Sequence, residues 1–155
     1  MSIVGRKLED LGIELPTKIA RGGGVAACRQ VGNVLYVSGH GPEDNEGTLV
    51  YRGQVGGEVS LEEGYDAARL TGIQLLRSIK DAIGDLDRVD YVVKALGFVN
   101  SAPGFFDQPK VMHGFSDLMI EIFGQNGVHA RSAIGTSVLP LNQPVEIELI
   151  VALRD

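Results

Sequence analysis

The sequence predicts a single α+β domain in which two long helices cover one face of a mixed β-sheet. Two segments repeat apolar residues at helical spacing, and a glycine follows each of them. At least five other segments are rich in apolar and β-branched residues, and short links between neighbouring strands favour a mostly antiparallel or mixed sheet. The chain has 155 residues, the usual size of one domain, and shows no internal linker.

Strands are predicted where apolar and β-branched residues cluster between turn-forming residues. The pair Gly32-Asn33 separates the first two strands as a tight turn. The second strand runs into the stretch SGHGP at residues 38–42, whose two glycines and proline predict a sharp bend. The predicted strands are residues 25–31, 34–37, 48–52 (a short one), 89–100, 130–139 and 145–153.

The first long helix begins with a capping box. The Ser60 hydroxyl can accept the N–H of Glu63, and the Glu63 side chain can accept the N–H of Ser60. This helix is predicted to end near Ile83. The second helix is predicted from about Gln108 to Phe123. Many small residues on the first helix predict that one of its faces packs closely on the sheet.

The composition and charge of the chain argue against several classes of function. The formal net charge is −6 at pH 7, and no cluster of lysine and arginine stands out, which argues against nucleic acid as a partner. The one cysteine, Cys28, allows no intramolecular disulfide, so a reducing, cytoplasmic location is the default expectation. No apolar run approaches the ~20 residues of a membrane span. Residues 1–19 form an N-terminal extension with a short helix predicted at residues 2–12, and they do not look like a signal peptide.

The histidines do not predict a metal site. His40, His113 and His129 fall on separate elements, and no pair has the spacing of metal ligands. We therefore expect no catalytic metal.

Arg131 opens a strand that is otherwise apolar and small. Alternate residues of a strand share a face, so Arg131, Ala133 and Gly135 lie on the same side. An arginine followed by two tiny residues is typical of a charged group at the mouth of a small pocket. The alternative is an arginine that extends from a strand end into solvent or pairs with a surface acid. The strand alone leaves both interpretations open.

The last strand carries two acids on one face. Glu146 and Glu148 share that face with two apolar residues, and the opposite face is wholly apolar. One interpretation places a glutamate in a cleft beside Arg131, because only a short turn separates the two strands. In the other interpretation both acids are solvated at an edge of the sheet.

Several motifs, in this order along the chain, together resemble the RidA/YjgF family of reactive imine and enamine deaminases. The similarity covers about residues 20–153, while the N-terminal helix and the residues around 101–110 look like features of a longer subgroup. Each motif is weak alone, but the combination is specific. The motifs are VGNVLYVSGHGP at 31–42, the long capped helix, VKALGFVN at 93–100, HARSAIG at 129–135, and LP followed by VEIE at 139–148.

The resemblance implies a chorismate-mutase-like α+β fold and a homotrimer with clefts between protomers. It implies hydrolysis of imines and enamines such as 2-aminoacrylate to 2-keto acids and ammonia, without a metal or an organic cofactor. Arg131 matches the arginine that grips the substrate carboxylate, a task that suits the planar fork of guanidinium. Gly39, after Ser38, matches the backbone contact at the pocket, and Glu146 matches the acid that orients the hydrolytic water.

The sequence departs from the family pattern at three places near the expected pocket. Ala133 stands where many members carry cysteine, which removes a thiol. Val25 stands where many members have an aromatic residue in the first strand. On the second helix, His113 or its neighbour Met112 falls near a position that is often asparagine. The departures leave the arginine-centred anion site intact and bear on the preferred substrate.

Two other functions fit the same resemblance. The losses at Val25 and Ala133 favour a trimer that binds small carboxylate metabolites, such as 2-keto acids, without turnover. An RNA-cleaving or translation-inhibiting activity is also a label within this family. The acidic balance of the chain argues against it, because a phosphate backbone requires concentrated positive charge.

Overall fold

A five-stranded mixed sheet with two long helices on one face dominates the computed structural model, which describes residues 2–17 and 23–155. In the sheet the strands run in the order β1-β2-β5-β3-β4. Only β3 and β4 pair in parallel, and the other neighbours are antiparallel. The strands of this part of the chain are β1 (Cys28–Val31), β2 (Val34–His40), β3 (Val89–Asn100), β4 (Ala130–Thr136) and β5 (Val145–Leu153), and its α-helices are α1 (Ile3–Asp10), α2 (Leu61–Ile83) and α3 (Gln108–Phe123). The predicted α+β class is confirmed.

The central strand β5 shows why the helices lie on one side only. Its odd-numbered residues, from Val145 to Leu153, are all buried. Its even-numbered residues, which include Glu146 and Glu148, are partly or fully exposed. We call the buried side the helix face of the sheet and the other side the open face. The predicted sharing of one face by the two glutamates is confirmed.

The two long helices approach each other closely at glycines. A Cβ added at Gly114 of α3 would collide with the backbone carbonyl of Tyr65 in α2. A Cβ added at Gly72 of α2 would lie 2.7 Å from the Leu118 side chain of α3. The capping box predicted at Ser60 and Glu63 is present in both directions. The second helix has the predicted bounds.

The first hairpin differs from its prediction at both ends. β1 begins at Cys28 instead of Val25, and β2 continues through Gly39 to His40 instead of ending at Val37. The pairing of β2 with β5 shifts register between Val37 and His40. A local irregularity of this kind absorbs the glycine-containing stretch inside the strand, where the sequence had predicted a bend.

Two other strands are shorter than predicted or do not form. Residues 48–52 form no strand, and only an isolated bridge joins Leu49 to Glu43. The Asp44 carboxylate accepts the N–H of Thr48, the first residue of that predicted strand, and the N–H of Glu46 in the loop before it, so a local side chain replaces part of the strand pairing. β4 ends at Thr136, opposite Asn100, because its partner β3 ends there.

The N-terminal helix α1 is held by one carboxylate. The Asp87 side chain accepts the first two N–H groups of α1, those of Ile3 and Val4, each at 2.7 Å. Such a contact satisfies donors that a helix start leaves unpaired. Val4 and Leu8 are buried in the same core as the sheet. The predicted short helix is thus present. Residues 1, 18 and 19 of the predicted extension lie outside the described residues.

None of the helices in the described parts of the chain is long and apolar enough to cross a membrane.

Candidate functional site

Arg131 lies between the edge strand β4 and helix α3. In the sheet it pairs with Ala95 of β3, which pairs with Leu149 of β5, and both partners are buried on the helix face. Arg131 therefore points from the helix face of an edge strand toward α3, and its side chain is half-buried. The predicted sharing of a face with Ala133 and Gly135 follows from the same register.

Three neutral acceptors of α3 hold the guanidinium. Its Nη1 donates to the Ser116 hydroxyl at 3.0 Å and to Nδ1 of His113 at 3.2 Å. Its Nη2 lies 3.4 Å from the carbonyl oxygen of Pro109. Guanidinium can only donate, so Nδ1 of His113 must be the unprotonated nitrogen of a neutral ring.

The charge of Arg131 is not neutralised by an ion pair within residues 2–17 and 23–155. Burial lowers the pKa of Arg131 below its ordinary value, and the negative charge of Asp117 acts in the opposite direction. Arginine nevertheless stays protonated in proteins. Nε and one N–H of Nη2 have no acceptor among the described residues, so these donors are available to a bidentate anion.

A second histidine, which the sequence analysis did not assign to the site, lies behind Ser116. Nε2 of His129 is 3.0 Å from the Ser116 hydroxyl, and Nδ1 is 2.7 Å from the carbonyl oxygen of Gly127. Burial lowers the pKa of His129, and the charge of Arg131 lowers it further, whereas the hydrogen bond to Gly127 raises it. Two spacings could have indicated this cluster. His129, just before β4, is two residues from Arg131, and residues two apart in an extended segment share a face. Ser116 is three residues after His113, and residues three apart on a helix are neighbours.

These residues line a groove of about 390 Å³ at the edge of the sheet. Asp117 and Ile120 of α3 and Val128, before β4, form its other walls. The groove is open to solvent on one side and is not a closed cavity. The sequence left open whether Met112 or His113 faces the pocket. Met112 is fully buried against Gly97, and His113 contacts Arg131.

The two small residues after Arg131 do not leave an empty floor. Ala133 packs against the core. A Cβ added at Gly135 would lie 2.7 Å from the side-chain nitrogen of Gln108, so the Gln108 amide fills that space. The room around Arg131 is instead on its α3 side and toward solvent.

Gly39 and Glu146 form a second group, on the open face. A Cβ added at Gly39 would lie only 2.7 Å from Oε1 of Glu146, so glycine is what allows the carboxylate to rest on this backbone. The Ser38 hydroxyl donates to the carbonyl of Ala26 at 2.6 Å, which fixes the segment before β1. Val25 belongs to this segment and is 58 % exposed.

Within one chain the two groups lie on opposite faces of the sheet. Glu146 pairs with Phe98, which pairs with Ile134, and this row belongs to the open face. Arg131 belongs to the helix face, and β3 separates β4 from β5. The interpretation that a glutamate lies beside Arg131 through the short turn is therefore wrong for a single chain. Among the described residues no group of three or more His, Cys, Asp or Glu side chains is arranged to hold a metal ion.

The open face itself carries a broad groove of about 510 Å³. Its lining mixes charged and apolar side chains, among them Arg29, Tyr36, Lys94, Glu148 and Ile150. Tyr36 and Ile134 are large apolar residues on this face, and both are exposed. No helix of the described residues covers it.

Comparison with known proteins gives a family match over nearly the whole chain. The family model described as "YjgF/chorismate_mutase-like, putative endoribonuclease" matches residues 5–153. Protein TCP17 of Trypanosoma cruzi is 39 % identical over 153 residues, which are 98 % of this chain and 95 % of that protein.

Solved structures with this fold include two close in sequence. The crystal structure of an Agrobacterium tumefaciens protein of unknown function has a TM-score of 0.87 at 36 % identity, covering 97 % of this chain and 92 % of that one. That of a protein described as "a putative endoribonuclease" from Shewanella oneidensis has a TM-score of 0.93 at 34 % identity, covering 98 % of this chain and all of that one.

Proposed function

Because the chain belongs to the YjgF/chorismate-mutase-like family, we propose that it hydrolyses small imines and enamines that carry a carboxylate, such as 2-aminoacrylate, to 2-keto acids and ammonia. The observation that carries the proposal is Arg131, a half-buried cation held by three neutral acceptors with donors to spare. A cation kept without a carboxylate partner in a groove is suited to an anion from solution. The substrate carboxylate would take the place of the missing counter-ion.

The reaction asks little of the protein. An enamine takes a proton on carbon to become an iminium ion, which is the protonated imine and is already electrophilic. Water adds to the iminium carbon and loses a proton, and the nitrogen of the resulting carbinolamine gains a proton. Ammonia then leaves as the hydroxyl loses its proton and the C=O bond forms. A protein that fixes the substrate carboxylate and places one water and one proton acceptor can therefore accelerate this hydrolysis.

Glu146 would orient the water and accept its proton, and the Gly39 backbone would line the pocket. Since Glu146 and Arg131 lie on opposite faces of the sheet, one complete site requires two copies of the chain. We propose a homotrimer in which the Arg131 group of one protomer meets the Gly39 and Glu146 group of the next. The uncovered open face, with Tyr36 and Ile134 exposed, supports packing between copies.

The experiment is pyruvate release from 2-aminoacrylate generated in situ, with wild type beside Arg131→Ala. We expect wild type to accelerate release and the variant to fall to the uncatalysed rate. Circular dichroism and sedimentation of both proteins would show that the variant keeps its fold and its oligomeric state. A trimeric wild type that does not accelerate release of pyruvate would refute the deaminase proposal for this substrate.

A binding role without turnover is the alternative. Ala133 and Val25 offer no functional group at positions where many family members have one. Stoichiometric binding of pyruvate in calorimetry, together with no hydrolysis, would favour this alternative. Cleavage of RNA by highly purified wild type that is lost in Arg131→Ala would favour the endoribonuclease description of the family instead.

A further inference from the structure

A continuous hydrogen-bond chain runs behind the arginine. It links Arg131 Nη1, the Ser116 hydroxyl, the His129 ring and the Gly127 carbonyl, with successive distances of 3.0, 3.0 and 2.7 Å. The chain crosses three elements: strand β4, helix α3 and the turn before β4. The ring of His129 is also packed edge-on against Phe115, with 5.4 Å between ring centroids.

When the His129 ring is neutral, chemistry at the two ends fixes the direction of every bond in this chain. A carbonyl oxygen can only accept, so Nδ1 of His129 carries the proton that Gly127 receives. In a neutral ring Nε2 is then an acceptor, and it must receive the hydrogen of the Ser116 hydroxyl. The oxygen of Ser116 is thereby left to accept from Arg131, which can only donate.

We infer that Ser116 and His129 are positioning residues, which hold the guanidinium of Arg131 in the orientation that presents its remaining donors to the substrate carboxylate. The identity of the substrate in this inference rests on the proposed function, whereas the hydrogen-bond geometry does not. A serine hydroxyl alone can rotate and donate or accept. The neutral imidazole removes that choice, so Arg131 meets an acceptor and never a competing donor.

The electrostatics of the pocket favour the required neutral ring. Burial keeps the pKa of His129 below its ordinary value, and the positive charge of Arg131 has the same effect. The other titratable side chains in this groove are His113 and Asp117 on α3. The ring of His113 is also neutral when Nδ1 accepts from Arg131. The guanidinium thus contacts the His113 ring directly and the His129 ring through Ser116, and these two hydrogen-bonding arrangements require opposite tautomers.

The same local pattern occurs once more in a different setting. His40 has Nδ1 2.6 Å from the carbonyl of Ser38, two residues earlier, and Nε2 2.7 Å from the hydroxyl of Ser78 on α2. That pair is buried inside the core. The pair at His129 lies in the groove, and its serine receives Arg131. The chain thus contains two histidines that each bond to a serine on a helix. In the core the pair contributes to packing, and beside Arg131 it orients the guanidinium.

The first test is spectroscopic and needs no substrate. Long-range ¹H–¹⁵N correlation spectra at pH 7.5 should show the Nδ1–H tautomer for His129 and the Nε2–H tautomer for His113. Rotation of the Arg131 guanidinium, measured by ¹⁵N exchange, should be at least several times faster in Ser116→Ala than in wild type. An Nε2–H tautomer for His129, or a rotation rate that Ser116→Ala leaves unchanged, would overturn the inference.

The second test is binding of pyruvate, followed by calorimetry. Ser116→Ala should weaken binding about tenfold, as expected when a hydrogen bond to a charged group is lost, and Ser116→Thr, which keeps the hydroxyl, should stay within about twofold of wild type. Thr71→Ala is the matched control, because it removes another helix hydroxyl, one that is fully buried and bonded to Ala67. It should lower the melting temperature without changing pyruvate affinity.

The outcomes separate the two proposals. If wild type binds pyruvate and Ser116→Ala binds it equally well, the positioning role is refuted while the deaminase proposal stands. If wild type neither binds pyruvate nor hydrolyses 2-aminoacrylate, the proposed function fails, and the tautomers and the guanidinium rotation still decide the positioning role. If Thr71→Ala lost as much pyruvate affinity as Ser116→Ala, the loss in Ser116→Ala would be explained by lower stability of the fold. That result would count against the inference.

Discussion

Arg131 and Glu146 lie on opposite faces of one β-sheet, with strand β3 between their strands. The two residues with the most specific roles in the proposed chemistry therefore cannot serve the same substrate from one chain. A site shared between copies resolves the conflict, and it makes a quantitative prediction.

Mixing two inactive variants should restore activity. In a trimer of Arg131→Ala and Glu146→Gln chains, every mixed assembly contains one site with both native residues. Random reassembly of equal amounts should give about a quarter of the wild-type sites, since three quarters of the trimers are mixed and each has one intact site in three. The rate of pyruvate release should rise to that level after the variants are unfolded and refolded together.

The control for this mixing experiment is refolding each variant alone, which should restore nothing. Activity that stays at background in the mixed sample, with sedimentation showing mixed trimers, would mean that the site is not shared between copies.

Arg131→Lys should bind pyruvate at least tenfold more weakly than wild type. Lysine keeps the charge but offers a compact ammonium, so it loses the planar pair of donors and the three fixed acceptors of α3. Calorimetry measures the change. Arg6→Lys, at an exposed position of α1, is the matched control and should leave the affinity unchanged. Equal affinities of Arg131→Lys and wild type would show that only charge matters at this position.

Gly39→Ala should reduce turnover while costing little stability. The added methyl would lie 2.7 Å from Oε1 of Glu146, and the end of a flexible side chain can move away. The fold should lose less than about 1 kcal/mol, but the carboxylate would leave its place, and turnover should fall about tenfold or more. Gly57→Ala is the control, because its methyl would meet a carbonyl oxygen at an ordinary 3.4 Å.

Urea denaturation and pyruvate release should be measured on both glycine variants. Full activity in Gly39→Ala would remove Glu146 from the proposed mechanism.

The stability of the fold should decrease as the pH falls below about 6.5, in part because of His129. Its folded-state pKa lies below the ordinary value of 6.5, so the unfolded chain takes up a proton that the folded chain resists. This contribution is constant above pH 6.5 and is lost as pH falls toward the folded pKa. The free energy of unfolding of His129→Gln should therefore vary less between pH 7 and pH 5 than that of wild type. An identical pH dependence in both proteins would contradict the assignment.

Gly114→Ala should destabilise the protein far more than Gly104→Ala. At Gly114 the methyl would meet the backbone carbonyl of Tyr65, which cannot move without separating α2 from α3. Gly104 has open space but a φ of +83°, so alanine there costs only backbone strain of about 1 kcal/mol. The cost at Gly114 should be about 3 kcal/mol, the upper part of the range for overpacking. Urea denaturation of the two variants checks the difference.

Local signals predicted the helices and the long strands well. The capping box at Ser60 and the glycines after α2 and α3 mark helix ends through short-range geometry. Residues 89–100 and 108–123 are strand and helix as predicted, because many apolar side chains favour one state over the whole segment. The strand predicted at 48–52 does not form, because its N–H groups bond within the adjacent loop: that of Thr48 to the Asp44 carboxylate and that of Val50 to the Pro42 carbonyl.

The site was predictable one residue at a time but not as an arrangement. The face of Arg131 followed from strand periodicity, as did the shared face of Glu146 and Glu148. The order of strands in the sheet did not, since a short turn between β4 and β5 suggested neighbours and β3 lies between them. Ser116 and His129 were missed because Ser116, which contacts Arg131, is 15 residues away on another element, and His129 is linked to Arg131 only through Ser116.

The hydrogen bonds from the start of helix α1 to the Asp87 carboxylate affect the expected lifetime of the folded state. Ile3 and Asp87 are 84 positions apart along the chain, so this contact closes a long loop. Because α1 is a short helix outside the sheet, we expect its contact with Asp87 to form after the rate-limiting step of folding. The Asp87 carboxylate would then leave the folding rate nearly unchanged and lower the unfolding rate, so it would prolong the lifetime of the native state.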